Sequence, residues 1–372
     1  MDNHRTYLIS IPVYSVIAGL ALFSFFEYIS FRLGESGDVK EIVELQIGTN
    51  ALFGQRYSNE KIDYKVEGAK RAEPDILILG TSRVLPIGGQ SFPANKVYNA
   101  GMSASSSQGL EGMAHILESF AEGKYPSYVV MGLDPWIFNP NSLSIRDRHK
   151  ATSKIKLMVK ENIGVAWSLL KGIRFLRDEL RSRANRYASL MHERNGWLAF
   201  LFAERAYQGL GLNAKLLNTG FRADGSFQYP AGFQENWKDP ATKDHISSLK
   251  TDYIWFAASS SVDSCSIDKL NVLLYFARQK GISVIGLLPP YSPNYDRALK
   301  SMPSRSAFYR EYQDKVCASF LERGFKCYNF TDISQFPELR GYGDSFDDSM
   351  HPKTGLVRGM MEIIRKENKQ LN

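Results

Sequence analysis

Asp75-Ile76-Leu77-Ile78-Leu79-Gly80-Thr81-Ser82 is the stretch on which the fold turns. Four consecutive aliphatic residues closed by Gly predict a strand buried on both faces, the habit of parallel sheets. The pattern recurs downstream. Lys96-Val97-Tyr98-Asn99 reads as a second strand, followed by Gly101, and Ser127–Met131 as a third, ending at Gly132. Ile282–Leu288 reads as a fourth, stopped by Pro289-Pro290, and Lys326–Phe330 as a fifth. Helical spacing fills residues 107–122, 263–280 and 304–323, and a final helix is expected over Met350–Leu371. This alternation predicts an α/β fold, a three-layer α/β/α sandwich around a five-stranded parallel sheet. It lapses over about 136–250, read as a largely helical insertion with a helix over Lys154–Tyr187 and loop over 214–242.

Upstream lies a different kind of sequence. Thr6–Phe26 (TYLISIPVYSVIAGLALFSFF) holds no charged residue and is about long enough to cross a bilayer core. Bulky residues continue past it, without the small-x-small site of a cleaved signal peptide. The expected organisation is a cytoplasmic stub at 1–5, a transmembrane helix at 6–28, a stalk or collar at 29–70, and the α/β domain at 71–372. His4 and Arg5 precede the run, and Glu27, Arg32, Glu35 and Asp38 follow it. The positive-inside rule then favours a cytoplasmic N-terminus and a periplasmic or extracellular body.

The net charge of +7 is local. Residues 146–186 carry twelve Lys or Arg against four acids, enough to account for the whole excess. Apolar residues such as Trp167, Leu169 and Phe175 are interleaved. This suits contact with anionic lipid or an acidic polysaccharide, or a plain solvated helix face. A body outside the cytoplasm, without a nucleic-acid module, argues against nucleic acid as a partner. The three cysteines, Cys265, Cys317 and Cys327, form no CxxC pair and no Cys/His cluster, so neither zinc nor any other cofactor is implied. Cys317 and Cys327 either bridge in an oxidising compartment or, with Cys265, remain buried thiols.

Ligands of parallel α/β sheets sit beyond the carboxyl ends of the strands. Those ends read Gly80-Thr81-Ser82-Arg83, Asn99-Ala100-Gly101 and Gly132-Leu133-Asp134-Pro135-Trp136, and near the C-terminus comes Asp347-Asp348-Ser349-Met350-His351-Pro352. A serine hydroxyl needs an adjacent base, and a base needs an orienting acid. Ser82, His351 and Asp348 supply these three roles. Asp347 and Asp344 are rivals for the acid, and the three-residue spacing favours Asp348. The plain alternatives are a turn serine at 82 and a helix-entry residue at 351. Arg83 either binds an anionic substrate group or pairs with an acid, pairing being favoured. Trp136 is either a platform for a sugar ring or a core tryptophan.

In order and position these blocks resemble the SGNH (GDSL-like) hydrolase superfamily, whose sheet is flavodoxin-like, over about 75–135 and 260–372. The resemblance implies Ser82, Asp348 and His351 as the triad. It implies an oxyanion hole from the backbone N–H groups of Ser82 and Gly101, with Asn99 in the second block. The family's third block supplies an Asn where this chain has Asp134, and a carboxylate there would repel an oxyanion. The membrane helix, the altered third block and Leu288-Pro289-Pro290 resemble a divergent branch. That branch includes the D-alanyl-lipoteichoic-acid transfer protein and the alginate O-acetylation proteins. It implies an acyl-serine transferase or esterase working on a cell-surface glycan beside a membrane-bound O-acyltransferase, or else a scaffold that has kept the fold without the chemistry.

Overall fold

The structure is a computed structural model. It describes residues 13–25, 28, 31, 34–35, 37–55, 61–104, 109–142, 209–229, 249, 257–342 and 345–371. The chain divides into two compact units, residues 1–59 with 159–220, and residues 60–158 with 221–372.

The larger unit is α/β with a five-stranded, all-parallel sheet. Its strands are β1 (Ile76–Gly80), β2 (Val97–Gly101), β3 (Tyr128–Gly132), β4 (Ser283–Leu288) and β5 (Lys326–Asn329), in the order β2-β1-β3-β4-β5. All five predicted strands are present. Its helices are α1 (Lys61–Ala72), α2 (Leu110–Glu118), α3 (Ser264–Gln279), α4 (Pro293–Lys300), α5 (Pro303–Leu321) and α6 (Thr354–Glu367).

β1 lies inside the sheet, and Ile76 through Leu79 are fully buried. Side chains alternate across a strand. Leu77 and Leu79 therefore join one core with α2, α3 and α5, while Ile76 and Ile78 join a second core with α6. Each such aliphatic side chain contributes about 1.5–3 kcal/mol when fully buried. Helices thus cover both faces, as the alternation predicts. α3 begins where Asp263 accepts a hydrogen bond from the Ser266 N–H, a cap that fixes its start within a residue of expectation.

Four boundaries differ from the sequence reading. The collar expected to 70 ends earlier, because α1 already belongs to the domain. Its Ala69 is in the core, and Lys65 is buried with Nζ donating to the carbonyls of Asn99 and Gly225. The final helix starts at Thr354, not Met350, because residues 345–353 form a hairpin. In it Phe346 pairs antiparallel with Pro352, the Asp347 N–H reaches the His351 carbonyl and the Lys353 N–H reaches the Ser345 carbonyl. The stretch taken as loop from 214 holds part of a helix, Leu212–Leu217, and short strands at Gly220–Phe221 and Phe227–Gln228. α4, where Pro293 opens a turn already set by its ring, was not anticipated. The helix expected at Lys154–Tyr187, the basic segment 146–186 and Asp344 lie outside the described residues.

Cys317 of α5 and Cys327 of β5 are joined by a disulfide, while Cys265 is a free, exposed thiol.

In the smaller unit, residues 13–25 are helical, and Asp38 caps a second helix, Val39–Thr49. Leu52–Phe53 pairs in parallel with Gly209–Leu210. Among the described residues no helix is long and apolar enough to cross a membrane. The uncharged run is described only from residue 13.

Candidate active site

The strand order places the crevice between β1 and β3, from whose carboxyl ends the connections run to opposite sides of the sheet. Ser82 stands at the first of these ends, on a short 3-10 turn, Ser82–Val84. Three strand-terminal glycines seat that turn. A Cβ on Gly80, Gly101 or Gly132 would come within 2.9, 3.2 and 2.2 Å of a Val84 methyl carbon. Val84 fills the space at Gly132 and shares it at Gly80 with the Gly132 carbonyl, while at Gly101 the Asn99 Oδ1 (2.7 Å) and Leu85 (2.9 Å) stand closer still.

The C-terminal hairpin brings the base. Ser82 Oγ lies 2.8 Å from His351 Nε2, and His351 Nδ1 lies 2.7 Å from Asp348 Oδ2. A carboxylate only accepts, so Nδ1 carries the proton and Nε2 is left to accept from the serine hydroxyl. Asp348 Oδ1 accepts from the N–H groups of Met350 and His351, both at 2.7 Å. Burial works to raise the Asp348 carboxyl. The hydrogen bond and charge of His351, with the two backbone donors, outweigh it and hold the carboxyl well below the usual range. The carboxylate that orients the imidazole therefore stays ionised.

Around this triad the structure reassigns most of the motif residues. Asp134 does not face an oxyanion. It is buried, with Oδ1 2.5 Å from Arg83 Nη1 and Oδ2 accepting from the Thr81 hydroxyl. Arg83 is not open to a substrate anion. Its side chain has no exposed surface, and its remaining nitrogens donate to the Met350 carbonyl (Nε, 2.8 Å) and to the Pro290 carbonyl. The ring of Tyr291 stacks at 4.4 Å from the guanidinium carbon. Burial disfavours the Arg83 charge, but Asp134 and its neighbours more than offset this and keep it protonated.

Asn99 is not an oxyanion donor either. Its amide nitrogen donates to the Val84 and Ile87 carbonyls at 2.7 and 2.6 Å, and its oxygen accepts from the Gly101 N–H at 2.6 Å. It brackets the turn behind Ser82, and in doing so occupies the Gly101 N–H that the sequence reading gave to the oxyanion hole. Of the predicted donors the Ser82 N–H remains, with no acceptor among the described residues. Trp136 is a core residue, 8% exposed, bordering a small cavity of about 30 Å³ with Tyr291, Tyr295 and Arg305. It offers no platform to a sugar.

Two further residues lie beside the relay: Asp347, weighed in the sequence as a rival for the acid, and Tyr229, which no motif marks. Asp347 is buried, and neither carboxylate oxygen has a hydrogen-bond partner among the described residues. Burial pushes its carboxyl up to about 6, with Asp348 adding to the rise and Lys353 and His351 opposing it. Tyr229 is half-buried, and burial and the charges of Asp347 and Asp348 push its hydroxyl well up. No local signal marks Tyr229. It arrives from the far end of the insertion, on a segment held by the Phe227 N–H to the Leu85 carbonyl (2.9 Å) and the Gly89 N–H to Asp224 Oδ2 (2.8 Å). Among the described residues no group of acidic, His or Cys side chains is placed to hold a metal.

No family model, curated protein or solved structure matches the chain.

Proposed function

We propose that this chain is a serine acyltransferase or esterase of the SGNH kind, anchored by its N-terminal run and acting outside the cytoplasm on a surface polysaccharide. The Ser82–His351–Asp348 relay, at 2.8 and 2.7 Å, carries the reading. Ser82 Oγ attacks an ester carbonyl as its proton passes to His351 Nε2, and the tetrahedral oxyanion forms beside the Ser82 N–H. His351 returns the proton to the leaving alcohol, which departs as the acyl-serine forms. A sugar hydroxyl or water, deprotonated in turn by His351, then takes the acyl group and releases Ser82.

The Cys317–Cys327 bridge suits an oxidising compartment. The helical residues 13–25 leave Val13, Tyr14, Val16, Ile17, Leu20, Leu22 and Phe25 exposed, as an anchor requires. A membrane-bound O-acyltransferase as donor, and an anionic membrane or glycan against the basic segment, belong to the same reading.

A second reading, a scaffold without chemistry, is favoured by one observation: Asn99 occupies the Gly101 N–H. Asp134, turned into Arg83, no longer argues for it. A fluorophosphonate probe separates the two. Labelling of the full chain in detergent, abolished in Ser82→Ala at unchanged melting temperature, is the expected result. An unlabelled wild-type protein supports the scaffold.

A further inference from the structure

We infer that Arg83 and Asp134 position the triad, setting the distance between nucleophile and base from beneath. The inference rests on the reading of Ser82 as the nucleophile. Ser82 lies between two residues that both bind Asp134, Thr81 through its hydroxyl and Arg83 through Nη1. The same guanidinium donates to the carbonyl of Met350, the residue before His351. One buried ion pair therefore links the chain on both sides of the nucleophile to the chain beside the base. The Pro290 carbonyl adds the end of β4, and the hairpin is tied there again by the Ser292 N–H to the Ser349 carbonyl at 3.0 Å.

Lysine cannot replace this residue. Three acceptors lie around the guanidinium, and a planar fork meets them together, whereas an ammonium is a single point of charge on a flexible stem. Asparagine cannot replace Asp134, because a buried guanidinium without its counter-charge is strongly destabilising. The carboxylate in the third block, anomalous for an oxyanion hole, is what this arrangement requires. The Ser82–His351 hydrogen bond joins segments 269 residues apart, and no backbone continuity fixes it. A misplacement of about 1 Å in such a pair costs roughly 10²-fold in rate.

The test is the second-order rate of fluorophosphonate labelling, per folded molecule, in the full-length chain as a function of pH. Arg83→Lys and Asp134→Asn are expected to slow labelling about 10²-fold and to flatten its rise with pH, because Ser82 no longer hands its proton to His351. Thr81→Val removes one neutral donor from Asp134, together with the long 3.3 Å acceptor of the Arg83 N–H. It keeps the test decisive where the charged variants do not fold, and is expected to slow labelling about tenfold. A purely structural role lowers the melting temperature but leaves rate per folded molecule and pH profile unchanged. That result in Thr81→Val, or in any folded variant of the pair, overturns the inference. A wild-type chain that labels on no serine overturns the nucleophile reading and the inference with it, whereas normal labelling of both wild type and variants overturns the inference alone.

Discussion

Two regions meet at Ser82, and they are built on opposite principles. Above it the hairpin 345–353 presents Asp348 and His351 part-exposed, in a chain of hydrogen bonds that ends at a serine hydroxyl. Below it Arg83, Asp134 and Asn99 are buried and bound to one another's turns and to backbone carbonyls. Both regions are made of polar residues near the carboxyl edge of the sheet's β1 strand, one from strand ends and one from the C-terminal hairpin. Only the upper one leaves a proton-accepting atom facing a nucleophile. The lower one spends its hydrogen-bonding capacity on the scaffold, because a buried polar group left without a partner costs roughly 1–3 kcal/mol.

The comparison breaks most easily at Asp348. Asp348→Asn keeps the shape but removes the charge that fixes the imidazole tautomer, and a loss of about 10⁴-fold in turnover is the expected cost of that change in such triads. Fluorophosphonate labelling at pH 7.5 measures it, with circular dichroism as the control for folding. Labelling within tenfold of wild type would show that the upper region is as architectural as the lower.

Asn99→Ala probes the lower region and should act on stability. It removes the acceptor of the Gly101 N–H and the donors to the Val84 and Ile87 carbonyls in a site with no exposure. A loss of about 2–4 kcal/mol is expected, read from urea unfolding. The freed Gly101 N–H sharpens the contrast. If labelling per folded molecule rises in this variant, the bracket competes with an oxyanion hole; if it falls, the bracket serves to hold the turn.

These outcomes bear on what the sequence makes legible. The sheet could be read because aliphatic runs such as Ile76–Leu79 are fully buried, and burial on both faces leaves its mark in consecutive positions. The triad could be read because Asp348 and His351 are three residues apart and because order along the chain survives folding. Partners inside the site could not be read in this way. Whether Asp134 faces an oxyanion or a guanidinium depends on a contact between residues 51 apart, and Arg83 supplies it from the position next to Ser82. The favoured pairing of Arg83 named the right kind of partner, an acid, without naming which. Asn99 stands where the sequence suggests an oxyanion-hole residue, with its side chain turned to other work. Tyr229 has no signature, since its place beside Asp347 and Asp348 follows from how the insertion returns.

The smallest effect expected concerns two adjacent carboxylates that titrate in opposite senses. Asp348 is depressed, so the stability it contributes is present above its ordinary value near 4 and is lost as pH falls through its folded value. Asp347 is raised to about 6. Between pH about 4 and 6 the folded chain keeps a proton on Asp347 that the unfolded chain has released. Raising the pH through that window therefore costs stability, and above it the full penalty remains. Asp347→Asn removes the charge at nearly constant shape. It should stabilise the protein by roughly 1–2 kcal/mol at pH 7.5 and by nothing below pH about 4. Thermal unfolding at pH 4.0, 5.5 and 7.5 reads the difference directly. A gain that is equal at all three values would mean that the benefit comes from packing, and that the Asp347 carboxyl titrates in the folded chain as it does in the unfolded one. A gain confined to high pH would show that the hairpin carries an uncompensated charge beside the carboxylate that orients His351. The lower region avoids that state by giving Asp134 both Arg83 and Thr81.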